Sequence, residues 1–85
     1  MQSNAIAVKD LKQGMRVVEY GYGRRIVSTV LEDAQRVDED RGAGGRYDGW
    51  EVRVQPDGSQ EFTYFECIEG SPYGPHIYPW EEGAL

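Results

Sequence analysis

The chain has 85 residues, of which 39% are hydrophobic, and its 15 acidic and 9 basic side chains leave a formal charge of −6 at pH 7. A chain this short has room for one domain, and its 11 glycines and 4 prolines favour short strands joined by turns over long helices. The negative charge disfavours a protein that binds duplex nucleic acid and favours one that meets a basic partner surface.

The distribution of charge and the cysteine content narrow the expectations further. Residues 55–85 contain six acidic residues and no basic one, so we expect the acidic surface in the last third of the chain. The single cysteine, Cys67, cannot form an internal disulfide or a zinc-binding pair, which favours a reducing compartment. The sequence shows neither a signal-peptide pattern nor an apolar run of about 18 residues. We therefore expect a cytoplasmic protein without a membrane segment, cofactor or metal.

The first predicted strand spans residues 15–20 and the second spans residues 24–31. Gly21 and Gly23 lie between them and supply the backbone freedom that a tight reversal requires. The second strand contains the β-branched run Ile26-Val27-Ser28-Thr29-Val30. Because both of its faces are partly apolar, we expect it in the centre of the sheet.

The charged segment 32–40 has two interpretations. It either extends the second strand or forms a short charged helix, and we favour a strand extension that decays into a loop. A glycine-rich loop near residues 42–49 should then end it, because Gly42, Gly44 and Gly45 disfavour regular structure.

The most regular pattern belongs to a predicted hairpin of residues 49–55 and 60–67. In its first arm, Trp50, Val52 and Val54 alternate with polar residues, which predicts one buried and one solvent-facing side. The intervening segment contains proline and glycine where a reversal favours them.

The second arm of this hairpin carries more aromatic rings than one face can bury. Phe62 and Tyr64 alternate onto one face, whereas Phe65 and Cys67 lie on the other. We therefore expect an aromatic face that meets solvent or a partner.

The last predicted strand is short, residues 76–78, and a short acidic tail follows at residues 80–85. We expect Pro79 to end its backbone pairing, because proline lacks an N–H group. The whole chain, residues 1–85, is thus predicted to form a single small β-barrel domain, since closure removes the exposed edges of a small sheet.

The order of these segments resembles a known group of folds. DLKQGMRV at residues 10–17, GWEVRV at 49–54 and PYGP at 72–75 follow one another as in SH3-like barrels, a group that includes SH3, Tudor and KOW-type modules. The resemblance covers the layout of residues 10–79 and implies an all-β, five-stranded antiparallel barrel. The chain lacks the acidic first loop and the tandem tryptophan of peptide-binding SH3 domains. A two-layer sheet with a short helix at 32–40 is the rival architecture.

Tests for common catalytic and metal-binding patterns fail. Cys67 and His76 could form a nucleophile and base only if a third group oriented the imidazole, and Cys67 is more typical of a small core residue. The acidic run at residues 38–40 resembles the start of a calcium loop, but Gly42 and Gly49 occupy positions where oxygen ligands belong. Neither glycine cluster carries the lysine of a phosphate-binding loop. We therefore expect a protein that is not an enzyme.

The leading functional hypothesis is a protein-binding module that uses an acidic aromatic edge to dock on a basic patch, as an adaptor or inhibitor. Small acidic single-domain proteins of phages and other mobile elements, some of which act on host proteins, have this general character. We expect Trp80 to be a surface anchor and Tyr78 to be part of the core. The proposed partner-binding residues are Tyr64, Glu66, Glu69, Tyr73, Tyr78, Trp80 and Glu81.

Two alternatives remain open. A single-stranded nucleic acid could stack on the predicted hairpin turn through Tyr20, Tyr22, Arg24 and Arg25, because aromatic and guanidinium planes bind bases and phosphates. Alternatively, the chain could be a structural subunit of a larger assembly. The sequence is compatible with a monomer or a homodimer.

Overall fold

The computed structural model describes residues 5–21, 23–71 and 74–80. Within these ranges the chain is an all-β protein in which two short 3₁₀ turns, Val8–Asp10 and Gly42–Gly44, accompany six strands. None of its described helical segments has the length and apolar character needed to cross a membrane. The strands are β1 (Arg16–Gly21), β2 (Arg24–Val30), β3 (Gln35–Asp40), β4 (Arg46–Pro56), β5 (Thr63–Ile68) and β6 (Ile77–Pro79).

The strands form one antiparallel sheet in the order β3-β4-β2-β1-β6, and β5 pairs with β4. In the β4 register, Val54 lies opposite both Val30 of β2 and Thr63 of β5, so β2 and β5 flank β4 on opposite edges. The predicted all-β antiparallel fold is confirmed, as is the central position of β2 between β1 and β4. The sheet curls into a half-barrel that is compatible with a small β-barrel.

β2 and β3 pair with different parts of the same edge of β4, β2 with its last residues and β3 with its first. The side chain of Glu32 bridges the break between them. Leu31 donates its N–H to the carbonyl of Arg53 at 2.9 Å. The N–H of Arg53 then has no strand neighbour and donates instead to Glu32 Oε2 at 3.1 Å, while the Arg53 guanidinium donates to Oε1. The segment predicted at 32–40 is therefore neither a helix nor a continuation of β2 that decays into a loop. The chain first leaves β2 at residues 31–34 and then forms the separate strand β3, which pairs with β4 along its whole length.

The core lies on the inner face of the curled sheet. Val52 and Val54 are fully buried there, which confirms the alternation predicted for β4, and Phe65 of β5 packs beside them. The segment before β1 covers this face because Val8 and Leu11 insert into it. The complete core cluster comprises Val8, Leu11, Val17, Val30, Val52, Val54, Phe65 and Ile77.

β3 and the first half of β4 form a largely exposed hairpin whose position corrects the predicted loop at 42–49. β4 begins at Arg46, so the irregular segment is confined to the short turn around Gly42–Gly44. The N–H of Arg41 donates to the Gly45 carbonyl at 2.8 Å, and Gly42 and Gly45 adopt the positive φ angles of 67° and 84° that this turn needs. The high glycine content of this segment predicted a loop, whereas the first half of β4 forms a strand because it pairs with β3.

Candidate binding surfaces

The outer face of the sheet, opposite the core, carries the most exposed rings. Residues that lie opposite each other on neighbouring strands share a face of the sheet. Thr29 of β2 lies opposite Gln55 of β4, and Arg53 of β4 lies opposite Tyr64 of β5, so all four residues lie on the outer face. Phe62 and Tyr64 are 47% and 49% exposed, and Tyr20 at the other end of the sheet is 47% exposed. The predicted excess of rings over interior volume is therefore present.

The first cluster, here called the β5 patch, consists of Phe62, Tyr64, Glu51 and Glu66. The rings of Phe62 and Tyr64 pack edge to face, with centroids 5.5 Å apart and planes at 83°. The guanidinium carbon of Arg53 lies 5.5 Å from the Phe62 centroid. Because the two rings orient each other while staying half exposed, they present a preformed aromatic surface.

The acidic part of the β5 patch is a pair of glutamates on adjacent strands. Glu51 of β4 lies directly opposite Glu66 of β5, an arrangement that is unfavourable by itself. Neither carboxylate forms an ion pair within the described chain, because the nearby Arg53 binds Glu32 and Arg41 binds Glu39. The patch therefore combines two exposed rings with two carboxylates that form no ion pair, and the positive charge of Arg41 acts on Glu66 only from a greater distance.

The titration of neighbouring groups follows these charges. Burial, reinforced by the negative charge of Glu66, raises the pKa of Tyr47 above its usual range. In contrast, the hydrogen bonds from Arg53 lower the pKa of the Glu32 carboxyl. Glu32 is thus held ionised, and Arg53 stays engaged away from Glu66.

Glu69 was grouped with Tyr64 and Glu66 in the sequence prediction, but it lies in a different environment. Its Oε2 accepts a hydrogen bond from Trp50 Nε1 at 2.5 Å. The guanidinium carbon of Arg36 lies 5.8 Å from the centroid of the Trp50 ring. Glu69 therefore fixes Trp50 at the base of the β3–β4 hairpin rather than extending the β5 patch.

The second cluster, here called the β1 patch, consists of Tyr20, Arg25, Tyr78 and Trp80. Tyr20 and Tyr78 pack edge to face with centroids 5.6 Å apart, and the Arg25 guanidinium carbon lies 5.1 Å from the Trp80 ring centroid. The patch lies on the outer face of β1, β2 and β6, where the strand register places Tyr78 opposite the buried side chain of Val18.

The β1 patch combines residues that the sequence analysis assigned to two different binding hypotheses. Tyr78 and Trp80, predicted for protein binding, lie with Tyr20 and Arg25, predicted for nucleic acid. Tyr78 and Trp80 are both half buried on the outer face, whereas the sequence predicted Tyr78 in the core and Trp80 on the surface. Arg24 falls on the opposite face of β2 from Arg25, as strand alternation requires. Tyr22, Tyr73 and Glu81 lie outside the described residues.

Two members of the β5 patch, Phe62 and Glu51, were missing from the residues predicted to bind a partner. Alternation alone placed Phe62 beside Tyr64 on the exposed face of the second hairpin arm. Glu51 carried no such signal, because its position opposite Glu66 depends on the strand register.

The two residues considered for nucleophilic catalysis border the same cavity. Cys67 and His76 both line a cavity of about 340 Å³ beside the N-terminal segment. The Cys67 thiol lies 3.5 Å from the Ile68 carbonyl oxygen. Among the described residues, no group of three or more histidine, cysteine, aspartate or glutamate side chains could hold a metal ion.

Comparison of the chain with protein-family models, with curated proteins and with solved structures finds no match. The surfaces described above are therefore interpreted from their own geometry and charge.

Proposed function

We propose that this protein is a non-enzymatic protein-binding module that docks a basic surface of another protein onto the β5 patch. The observation that carries the proposal is that two half-exposed rings, Phe62 and Tyr64, lie beside Glu51 and Glu66, which form no ion pair within the described chain. Large rings that are already oriented lose little entropy on binding, and aromatic residues supply much of the energy of protein interfaces. A net charge of −6 favours a basic partner.

The proposal extends to the kind of fold and the cellular role. The sheet order, with the last strand beside the first and the main strands following as a meander, supports an SH3-like barrel in which β3 is an additional extension. A small acidic module of this type would act in the cytoplasm as an adaptor or inhibitor of its partner. Its size and charge are in keeping with a phage or mobile-element protein that acts on a host protein.

Affinity capture with matched variants tests the function. Tyr64→Ala and Glu66→Lys should each reduce retention of a basic partner by about tenfold or more, because they remove an anchor and a complementary charge. Tyr20→Ala is the control, since Tyr20 is as exposed as Phe62 but lies in the β1 patch. Equal retention by all variants would contradict the proposal.

The β1 patch supports a second candidate function, the binding of single-stranded nucleic acid. The observation in its favour is that Tyr20, Tyr78 and Trp80 lie on one face with Arg25, which is the combination that stacks bases and meets phosphates. Fluorescence polarisation with a labelled single-stranded oligonucleotide at low salt tests it. Binding that Arg25→Ala weakens would support this function, and no binding at low salt would discard it.

A further inference from the structure

The backbone of β5 has one edge that faces away from β4. The N–H of Glu69 donates to the Asp48 carbonyl at 2.9 Å, so residues 48 and 69 form a hydrogen-bonded pair at the end of the ladder. In an antiparallel ladder such pairs alternate with pairs whose polar groups point outward. Phe65 and Cys67 therefore bond to β4, and the N–H and C=O groups of Tyr64 and Glu66 point to the opposite edge.

The other edge of β4 gives an independent check of this alternation. The N–H and C=O groups of Arg53 bond to Glu32 and Leu31, on the edge occupied by β2 and β3. Arg53 therefore cannot exchange backbone hydrogen bonds with Tyr64, its partner in the β5 register. Tyr64 belongs to an outward-pointing pair, in agreement with the first argument.

The sheet edges at β6 and β3 are protected in ways that the β5 edge is not. At β6, the N–H of Ile6 donates to the Ile77 carbonyl at 2.7 Å and covers the strand. β3 carries the consecutive charges Asp38, Glu39 and Asp40, a common defence against further pairing. Among the described residues, no hydrogen bond reaches the outward backbone groups of Tyr64 and Glu66.

We propose that an extended, basic segment of the partner protein adds to β5 as a further antiparallel strand. This inference rests on the proposed function and specifies how the β5 patch is used. The strand pairs with the outward N–H and C=O groups of Tyr64 and Glu66, as in other cases where an extended peptide augments a sheet. The backbone hydrogen bonds supply affinity, and the side chains of the β5 patch determine which partner sequences bind.

The side-chain chemistry selects a basic rather than a neutral strand. In an antiparallel pair, the residues directly opposite Tyr64 and Glu66 share the outer face with them. A lysine or arginine there reaches Glu66 and offsets one of the two negative charges of the Glu51–Glu66 pair, and it can also lie against the exposed Tyr64 ring. Alternate residues of the same strand face the inner side and can be apolar.

A second copy of this chain fits the edge less well. Pairing two β5 strands would bring together two molecules that each carry a charge of −6 and one Glu51–Glu66 pair. Like charges brought together across an interface oppose association. The same charges favour a basic segment.

A peptide titration tests strand addition. The probe is a fluorescein-labelled peptide in which lysine and valine alternate, used with two N-methylated versions of identical charge. In the antiparallel register, the lysines opposite Tyr64 and Glu66 donate their N–H groups to β5, whereas the valine N–H groups point away. N-methylation at the lysines should weaken binding by about tenfold or more, and N-methylation at the valines should leave it unchanged.

Several outcomes would overturn the inference. Equal binding of the three peptides, or no binding of the parent peptide, excludes antiparallel strand addition. If Tyr64→Ala still abolishes partner capture, the proposed function survives that result and only the binding mode fails. Light scattering that shows a dimer dissolved by Glu66→Pro would assign the edge to a second copy.

A pair of protein variants separates the backbone from the charge. Glu66→Gln removes the carboxylate alone, whereas Glu66→Pro also removes the outward N–H group without touching a hydrogen bond to β4. The proline variant should bind the parent peptide more weakly than the glutamine variant at a similar thermal midpoint. Equal binding by the two folded variants would contradict a role for the backbone of β5.

Discussion

At the scale of single residues, Gly49 shows how closely β4 and β5 approach. A Cβ atom at this position would lie 3.0 Å from the Tyr47 hydroxyl and would overlap the Cys67 carbonyl oxygen. We expect Gly49→Ala to lower the free energy of unfolding by about 1–3 kcal/mol, because the backbone of β5 would have to move. Gly44→Ala is the control, since no atom lies within 4 Å of its Cβ position. Urea denaturation that gives equal stability for the two variants would contradict this packing.

Glu32 should make the stability of the fold depend on pH. Its pKa is lowered in the folded state by the hydrogen bonds from Arg53. A carboxyl group whose pKa is lower in the folded than in the unfolded state stabilises the fold at pH values above its unfolded pKa of about 4.3. That stabilisation is lost as the pH falls through the folded-state pKa. The stability difference between the wild type and Glu32→Gln should therefore be constant near neutral pH and shrink below about pH 4. A difference that grows in acid would have the wrong sign.

At the scale of elements, the β1 patch should matter for folding more than the β5 patch. Tyr78 and Trp80 are half buried on the outer face of β1 and β6, whereas Tyr64 is half exposed at the edge of the sheet. We expect Trp80→Ala to destabilise the protein by about 1–3 kcal/mol and Tyr64→Ala by less than about 1 kcal/mol. Thermal unfolding compares them. An unchanged midpoint for Trp80→Ala would restore Trp80 as the surface anchor expected from the sequence.

The elements also show what the sequence could and could not predict. The β4–β5 hairpin follows from local alternation, because Val52 and Val54 repeat with the period of a strand. β3 was ambiguous, since a charged segment becomes a strand only through its pairing with β4. The opposition of Glu51 to Glu66, and the meeting of Tyr20 with Tyr78, depend on register between strands and have no local signal.

At the scale of the whole molecule, the edges of the sheet have distinct characters. The β3 edge carries charges that are partly paired, as Arg46 pairs with Asp38 and Arg41 with Glu39. Exposed pairs of this kind add little stability but discourage further strand pairing. The β5 edge instead joins two exposed rings to a glutamate that forms no ion pair within the described chain, and this combination suits a basic strand.

Hydrogen exchange of the β5 amides, measured residue by residue by NMR, tests the open edge most directly. In the free protein, the amides of Phe65 and Cys67 should exchange slowly because they bond to β4, and those of Tyr64 and Glu66 should exchange fast. Adding the lysine–valine peptide should slow exchange at Tyr64 and Glu66. Slow exchange at these two amides in the free protein would show that the edge is already occupied and would contradict the account.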